Sequence, residues 1–272
     1  MDFSLTEQQE MMQTMAKDFL AAEYKDKILK AMVKDDKGYT PELWRKMREM
    51  NLMGLSLPEQ YSGVGDFLDL IVVLQEMGKV CFISPYFATV ALAAGALILS
   101  GSEDQKKQYL TAIAEGKKIA TVAITEKSGK YTPQAIQTRA KVQGKNYIVN
   151  GAKLFVPDAQ NADYIICAAR TSDEKDGITL FIVDNTAEGI KINPLKTISG
   201  DKQAEVVFDH VQVPFAENGG RAARANDQVI LEKFAVLVSG RSWVRAFGQN
   251  FSEIIDQVKI LGVPVKSCNP FF

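Results

Sequence analysis

The sequence predicts an α+β multidomain protein: an N-terminal all-α helical domain over residues 1–118, a small antiparallel β-barrel domain over 119–215, and a short divergent C-terminal tail over 216–272. Three observations predict it. Apolar residues recur at three- and four-residue spacing as far as residue 118; from 119 the runs shorten, alternate and fill with β-branched and aromatic residues; after Pro214 neither pattern persists.

Thr6 is placed to cap a first helix whose apolar positions are Met11, Met12, Met15, Phe19 and Leu20, with the methionines read as core. Glu23-Tyr24-Lys25 and Asp35-Asp36 read as solvent-facing charges of helix or loop. Pro41, after Thr40, suits the first turn of a second helix with Leu43, Trp44, Met47 and Met50 on one face. Asn51-Leu52-Met53-Gly54 ends it, and the glycine-containing loop Pro58 to Asp66 leads to a third helical run, Phe67 to Lys79. Pro85 opens a fourth helix, and Ser102 with Gln105 forms a capping box for a fifth that ends near Gly116. The expected strands are Ile119 to Ile124, Ala135 to Val142, Asn146 to Val156, Tyr164 to Arg170, Thr179 to Val183, Ile190 to Leu195 and Glu205 to Val213. With no helices between them these antiparallel strands close most readily as a small barrel or sandwich, and Gly144-Lys145 and Asn150-Gly151 read as tight turns.

Composition removes several functional classes. With 32 basic and 33 acidic side chains interleaved, the chain has no positive field to gather nucleic acid. The longest apolar run, Ala88 to Leu99, is too short to span a bilayer and reads as a buried helix. Cys81, Cys167 and Cys268 lie far apart, so neither a zinc site nor a disulfide framework is expected. The lone His210 reads as a solvated residue without metal partners. The start MDFSLTEQQEMM has neither the basic, apolar profile of a secretion signal nor the Arg-rich bias of a transit peptide, and a cytoplasmic protein is expected.

Four strings, LWRKMREMNLMGLSLPEQYSGVGDFLDL, GSEDQKKQYLTAIAEGKKIATVAITE, YIVNGAKLFVPDAQNADYIICAAR and EVVFDHVQVP, stand in the order and at the separations seen in acyl-CoA dehydrogenases, so the chain resembles that family over about its first 215 residues. The resemblance implies an FAD-dependent enzyme that removes two hydrogens across Cα and Cβ of a fatty acyl-CoA thioester. A carboxylate base takes the α-proton, hydrogen bonds polarise the carbonyl, and the flavin receives the β-hydride. It further implies acyl-CoA as substrate, an electron-transferring flavoprotein as partner, and homo- or hetero-oligomers with acyl-CoA dehydrogenase subunits.

Carried over residue by residue, Ile124 and Thr125 in AITE match the first flavin-binding signature, with Thr125 and nearby backbone amides facing the ring. The usual Pro and small-residue run is here Lys127-Ser128-Gly129-Lys130-Tyr131. Gly129 still permits close backbone approach to a pyrophosphate, and Ser128 lies beside it. Lys130 has two readings, a charge partner of the pyrophosphate or an exposed turn residue. The second signature, KLFVP, has Phe155 where Trp is usual and Pro157 where Thr is usual. Phe155 keeps an aromatic face for the flavin, whereas Pro157 has neither hydroxyl nor N–H to donate.

The family's C-terminal bundle, with its Arg-x-x-Phe-Gly segment and catalytic Glu, has no match in the tail. Glu232, Glu253 and Asp256 are carboxylates there without a motif around them, so no catalytic residue is assigned. Three functional readings follow: a dehydrogenase impaired as this truncated chain, a non-catalytic flavin- or acyl-CoA-binding subunit that pairs with a complete enzyme, and a non-functional fragment. The chain follows the family to ILEKF at Ile230 to Phe234 and then departs from it, as a shifted reading frame would produce. Sequencing of the DNA is expected to reveal the Arg-x-x-Phe-Gly segment in another frame beyond the Phe234 codon; a downstream region without it removes that explanation.

Overall fold

The computed structural model describes residues 4–130, 132–174 and 177–214; the expected tail, with Glu232, Glu253, Asp256 and Cys268, lies outside the described residues. Helix α1 (Glu7–Glu23) starts on a capping box, in which Gln9 N–H donates to Thr6 Oγ1 at 3.2 Å and Thr6 N–H to Gln9 Oε1 at 3.1 Å. Its buried stripe is Gln9, Ala16 and Leu20. At 100° per residue Met11 lies on the far side of that stripe and is 69% exposed, so the expectation of a methionine core holds for the partly buried Met12 and Met15 but not for Met11.

Helix α2 (Asp26–Lys34) occupies a stretch for which the sequence pattern named no element. Of the three residues before it, Glu23 and Lys25 reach the surface as expected, but Tyr24 does not. Tyr24 is buried, its ring meets Phe82 edge-on with centroids 4.7 Å apart, and its hydroxyl accepts from Ile83 N–H at 3.0 Å. Glu23 pairs with Lys46 at 2.7 Å. Helix α3 (Pro41–Glu49) is capped by Thr40, and its Trp44 Nε1 donates to Gly116 O at 2.9 Å. Helix α4 (Phe67–Lys79) follows an Asp66 capping box. Phe87–Ala93, wound in wider π-type turns, runs on through Ala94–Ser100 as one buried helix, α5; Glu103–Gln105, Lys106–Leu110 and Thr111–Ala114 form α6 behind the Ser102–Gln105 capping box. Among the described residues no helix is long and apolar enough to cross a membrane.

The strands are β1 (Ala120–Ala123), β2 (Arg139–Gln143), β3 (Asn146–Pro157), β4 (Tyr164–Arg170), β5 (Ile178–Asp184), β6 (Ile190–Leu195) and β7 (Gln203–Pro214). They form one curled sheet in the order β1-β4-β2-β3-β7-β6, with β5 on β4. Two features correct the expected antiparallel barrel. The sheet is mixed, because β1 runs parallel to β4, with Ala120 opposite Tyr164 and Ala123 opposite Cys167, and β2 also meets β4 in parallel at Arg170. Parallel neighbours need a crossover, and the segment after β1 together with the β2–β3 hairpin supplies it. Nor do the strands close: β5 pairs with β4 alone and β6 with β7 alone, although the sheet curls enough for Tyr147 on β3 to meet Phe181 on β5 at 4.9 Å.

Gly144, at φ 61, opens the expected two-residue turn between β2 and β3. Asn150-Gly151 is not a turn. It lies inside β3, where the register against β7 shifts between Val149 and Gly151. Gly151 has φ 151, and a Cβ there would fall 2.5 Å from Thr138 Oγ1, so the close approach of β3 to Thr138 excludes a side chain.

The helical layer joins the sheet at β1. The Thr89 hydroxyl of α5 donates to Ala120 O at 3.1 Å and accepts from Ala120 N–H at 3.3 Å, and one continuous core runs from Leu20 and Met47 through Leu92 to Val122, Ile165 and Phe181. Thr89→Val keeps the side-chain shape and removes both bonds. It is expected to lower stability by about 1–3 kcal/mol, read as a lower urea midpoint at unchanged slope.

Candidate functional site

Where β1 ends, the chain passes through Ile124, Thr125 and Glu126 into an exposed turn, and β3 runs alongside: Leu154 N–H donates to Thr125 O at 2.8 Å. At this point β3 breaks step with β7. The register shifts between Lys153 and Val156, leaving Leu154 and Phe155 without ladder partners. Phe155 sits at φ 54, in the left-handed region that bulky residues avoid, and the residue is 53% exposed. The bulge inverts the alternation of the strand, so Phe155 turns outward while Val156 and Pro157 are both buried. The Pro157 carbonyl accepts from Thr121 Oγ1 at 2.5 Å, which ties the strand back to β1.

Thr125 is buried, yet among the described residues neither its N–H nor its hydroxyl has a hydrogen-bond partner. Ile124 is also buried, while Ser128, Gly129 and Lys130 are exposed on the following turn. That turn is closed by Gly129 N–H donating to Glu126 O at 2.8 Å and Lys130 N–H to Ser128 Oγ at 3.3 Å; Gly129 has φ 66 and open space where a Cβ would stand. An exposed aromatic face, unpaired donors beside it and a glycine turn with a lysine suit a flat, acceptor-rich ligand that carries an anionic arm.

Behind this surface lies a pair that sequence reasoning did not single out. Lys153, with no exposed surface, donates to Glu126 Oε1 at 2.7 Å and to Ile124 O at 3.3 Å. Glu126 also accepts Gln137 N–H at 2.7 Å and Thr138 N–H at 3.0 Å. Burial alone would push the Glu126 carboxyl up; the Lys153 charge and hydrogen bond, with the two backbone donors, outweigh it and hold the group below its ordinary value. One signal was present in the sequence: Lys153 shares the strand parity of the inward Val149, and an inward lysine requires a buried partner. Arg170 is a second structural residue, donating to Pro133 O at 2.7 Å, Ile136 O at 3.2 Å and Glu174 O at 2.9 Å, which holds the segment that leads from the turn to β2.

His210 is exposed beside Asp209, and among the described residues no cluster of metal-ligating side chains exists. Burial pushes the Cys167 thiol up to about 11, so it carries no thiolate near neutral pH.

The model of the acyl-CoA dehydrogenase N-terminal domain matches residues 6–117, and that of the acyl-CoA dehydrogenase middle domain matches residues 121–211. The short-chain-specific acyl-CoA dehydrogenase of Clostridium acetobutylicum is 31% identical over 232 residues, 82% of this chain and 61% of that one. The caffeyl-CoA reductase-Etf complex subunit CarC of Acetobacterium woodii is 30% identical over 217 residues, 77% of this chain and 57% of its own. The chain thus spans less than two thirds of the length of these relatives. The crystal structure of an acyl-CoA dehydrogenase complexed with FAD from Bacillus anthracis shares the fold, with a TM-score of 0.77 at 22% identity, over 89% of this chain and 42% of that one.

The ion pair sets a pH dependence. Because the folded-state pKa of Glu126 lies below its ordinary 4.5, its contribution to stability is complete above that value and is lost as pH falls through the depressed one. Urea midpoints followed from about pH 7 to about pH 3 are expected to fall more for the wild type than for Glu126→Gln, which starts lower by about 3–5 kcal/mol because Lys153 is left buried without a counter-charge.

Proposed function

The chain belongs to the acyl-CoA dehydrogenase family, and on that premise we propose that it is an FAD-binding protein whose site serves α,β-dehydrogenation of a fatty acyl-CoA thioester. The observation that carries the proposal is Phe155, a bulky side chain held exposed in a strained backbone conformation beside the unpartnered donors of Thr125. Strained residues of this kind cluster at ligand-binding and active sites.

The residues present suit the flavin. The Phe155 ring offers an apolar face, the Thr125 N–H and hydroxyl are free to donate to ring acceptors, and the Ile124–Thr125 peptide borders the same surface. Gly129 has open space for close backbone approach, and in this reading the exposed Ser128 hydroxyl and Lys130 ammonium serve the pyrophosphate. Pro157, buried and without an N–H, packs behind the bulge and donates nothing. When bound, the flavin supplies the acceptor for the β-hydride.

Glu126, the carboxylate adjoining Thr125, is a poor base for the α-proton, since Lys153 and two backbone N–H groups hold it ionised and weakly basic. In the proposal the base comes from residues of this chain outside the described ones or from a partner subunit. That division of labour gives the second reading, a flavin- or acyl-CoA-binding subunit that pairs with a complete dehydrogenase. Residues 1–118 and 119–215 then act as the N-terminal helical and middle β domains, and 216–272 stand as a divergent remnant of the C-terminal one. An electron-transferring flavoprotein as acceptor, homo- or hetero-oligomers with acyl-CoA dehydrogenase subunits and a cytoplasmic location complete the proposal. The relative from Acetobacterium, named a reductase, makes an enoyl-CoA a necessary control.

Flavin absorbance of the purified chain, before and after addition of an acyl-CoA or an enoyl-CoA, tests the proposal. A yellow chain bleached by acyl-CoA is expected of a dehydrogenase and a yellow, inert one of the binding subunit; a colourless chain that takes up no added FAD overturns both. Phe155→Asn, which tolerates the left-handed conformation, is expected to stabilise the fold by about 1 kcal/mol while weakening FAD binding about tenfold. Urea unfolding and FAD titration read the two effects separately.

A further inference from the structure

Lys153 and Glu126 are more than a means of burying two charges. A well-packed apolar pair of similar volume serves stability as well as a buried ion pair does, so the pair calls for another account of what it holds in place. Glu126 gathers three segments: its own loop, the Gln137–Thr138 backbone, and β3 through Lys153. Lys153 does one thing besides neutralise Glu126. Its Nζ also donates to the carbonyl of Ile124, at 3.3 Å.

That contact fixes a direction. No described peptide bond is cis, and in a trans peptide the C=O and N–H point opposite ways. With the Ile124 carbonyl drawn inward to Lys153, the N–H of the same peptide plane, that of Thr125, points outward, and among the described residues it has no partner. The next plane is fixed from the other side, where Thr125 O accepts Leu154 N–H at 2.8 Å, one residue before Phe155. Lys153 thus holds the donor and the aromatic ring in one frame: the donor through the Ile124 carbonyl, the ring through its own place in β3 at the start of the bulge.

We propose that Lys153 is a positioning residue that, anchored by Glu126, aims the Thr125 N–H at the flavin ring and sets it in register with Phe155. The proposal rests on the flavin-binding reading above and assigns to two side chains remote from solvent the orientation of the donor at its surface.

The test separates orientation from stability. Lys153→Met leaves Glu126 buried without its cation and is expected to lose both stability and FAD affinity. Lys153→Met with Glu126→Gln removes the lone charge but restores no donor to the Ile124 carbonyl. The double variant is expected to regain most of the urea midpoint lost in Lys153→Met while binding FAD at least about tenfold more weakly than wild type. Its Thr125 amide and Ile124 carbonyl resonances are expected to be displaced in the ligand-free protein. A double variant with wild-type FAD affinity and unmoved resonances overturns the proposal. In the wild type, the Thr125 N–H is expected to exchange quickly with solvent without FAD and slowly with it; an amide protected without FAD overturns the proposal whatever the variants do. A wild-type chain that binds no FAD instead overturns the functional reading, and the resonances of the ligand-free double variant still decide whether Lys153 orients the peptide.

Discussion

The ammonium of Lys153, with no surface exposed to water, is the constraint around which the β domain is arranged. An isolated buried charge is costly enough that it must be matched, and the match here is Glu126, itself completed by two backbone N–H groups. Because the partners come from the loop after β1, the residues just before β2 and the later part of β3, satisfying one charge fixes the relative position of three segments. Thr121 and Pro157 add a second tie between β1 and β3 a few residues away. The loop that carries Thr125 is therefore held from behind, and its front opens on the exposed Phe155 and the Ser128–Lys130 turn.

That arrangement explains why β3 tolerates two irregularities. A regular strand would bring Phe155 and Pro157 to one face, and would place a side chain at position 151 against Thr138. Instead Gly151 allows the backbone to press on Thr138, and the bulge after Lys153 turns Phe155 out while burying its neighbours. The positive φ of Phe155 is unfavourable locally and persists because the ladder on one side and the ion pair on the other determine it.

The helical layer serves the same end. The Thr89 hydroxyl on α5 grips β1, Asn161 Nδ2 donates to Lys37 O at 2.7 Å, and Lys202 Nζ donates to Val33 O at 2.9 Å, so loops of the sheet are bonded to the last turn of α2 and to the α2–α3 connection. Pairing β1 with β4 in parallel puts the candidate loop at the C-terminal end of β1, where Arg170 at the end of β4 braces the segment leading from it to β2.

Much of this molecule was legible in its sequence because the signals are local. Thr6, Thr40, Asp66 and Ser102 cap helices by bonding backbone groups two or three residues away, and Gly144 opens a turn by its own conformation. The period change near residue 119 marks where helices give way to strands, and the AITE and KLFVP strings point to the two segments that meet at the candidate site. What the sequence alone did not carry depends on partners far along the chain. Tyr24 is buried because Ile83 and Phe82 come to it, and Asn150-Gly151 is a bulge because β7 and Thr138 flank it. The sheet is mixed because β1 reaches β4 across a hairpin, and alternation within a strand records which side chains face inward, not which strand lies alongside. The sequence determined most of the element types, the family and the strings that meet at the candidate site. Only the tertiary structure decided that Lys153 and Glu126 meet beneath Thr125, since a buried charge selects its partner by proximity in space.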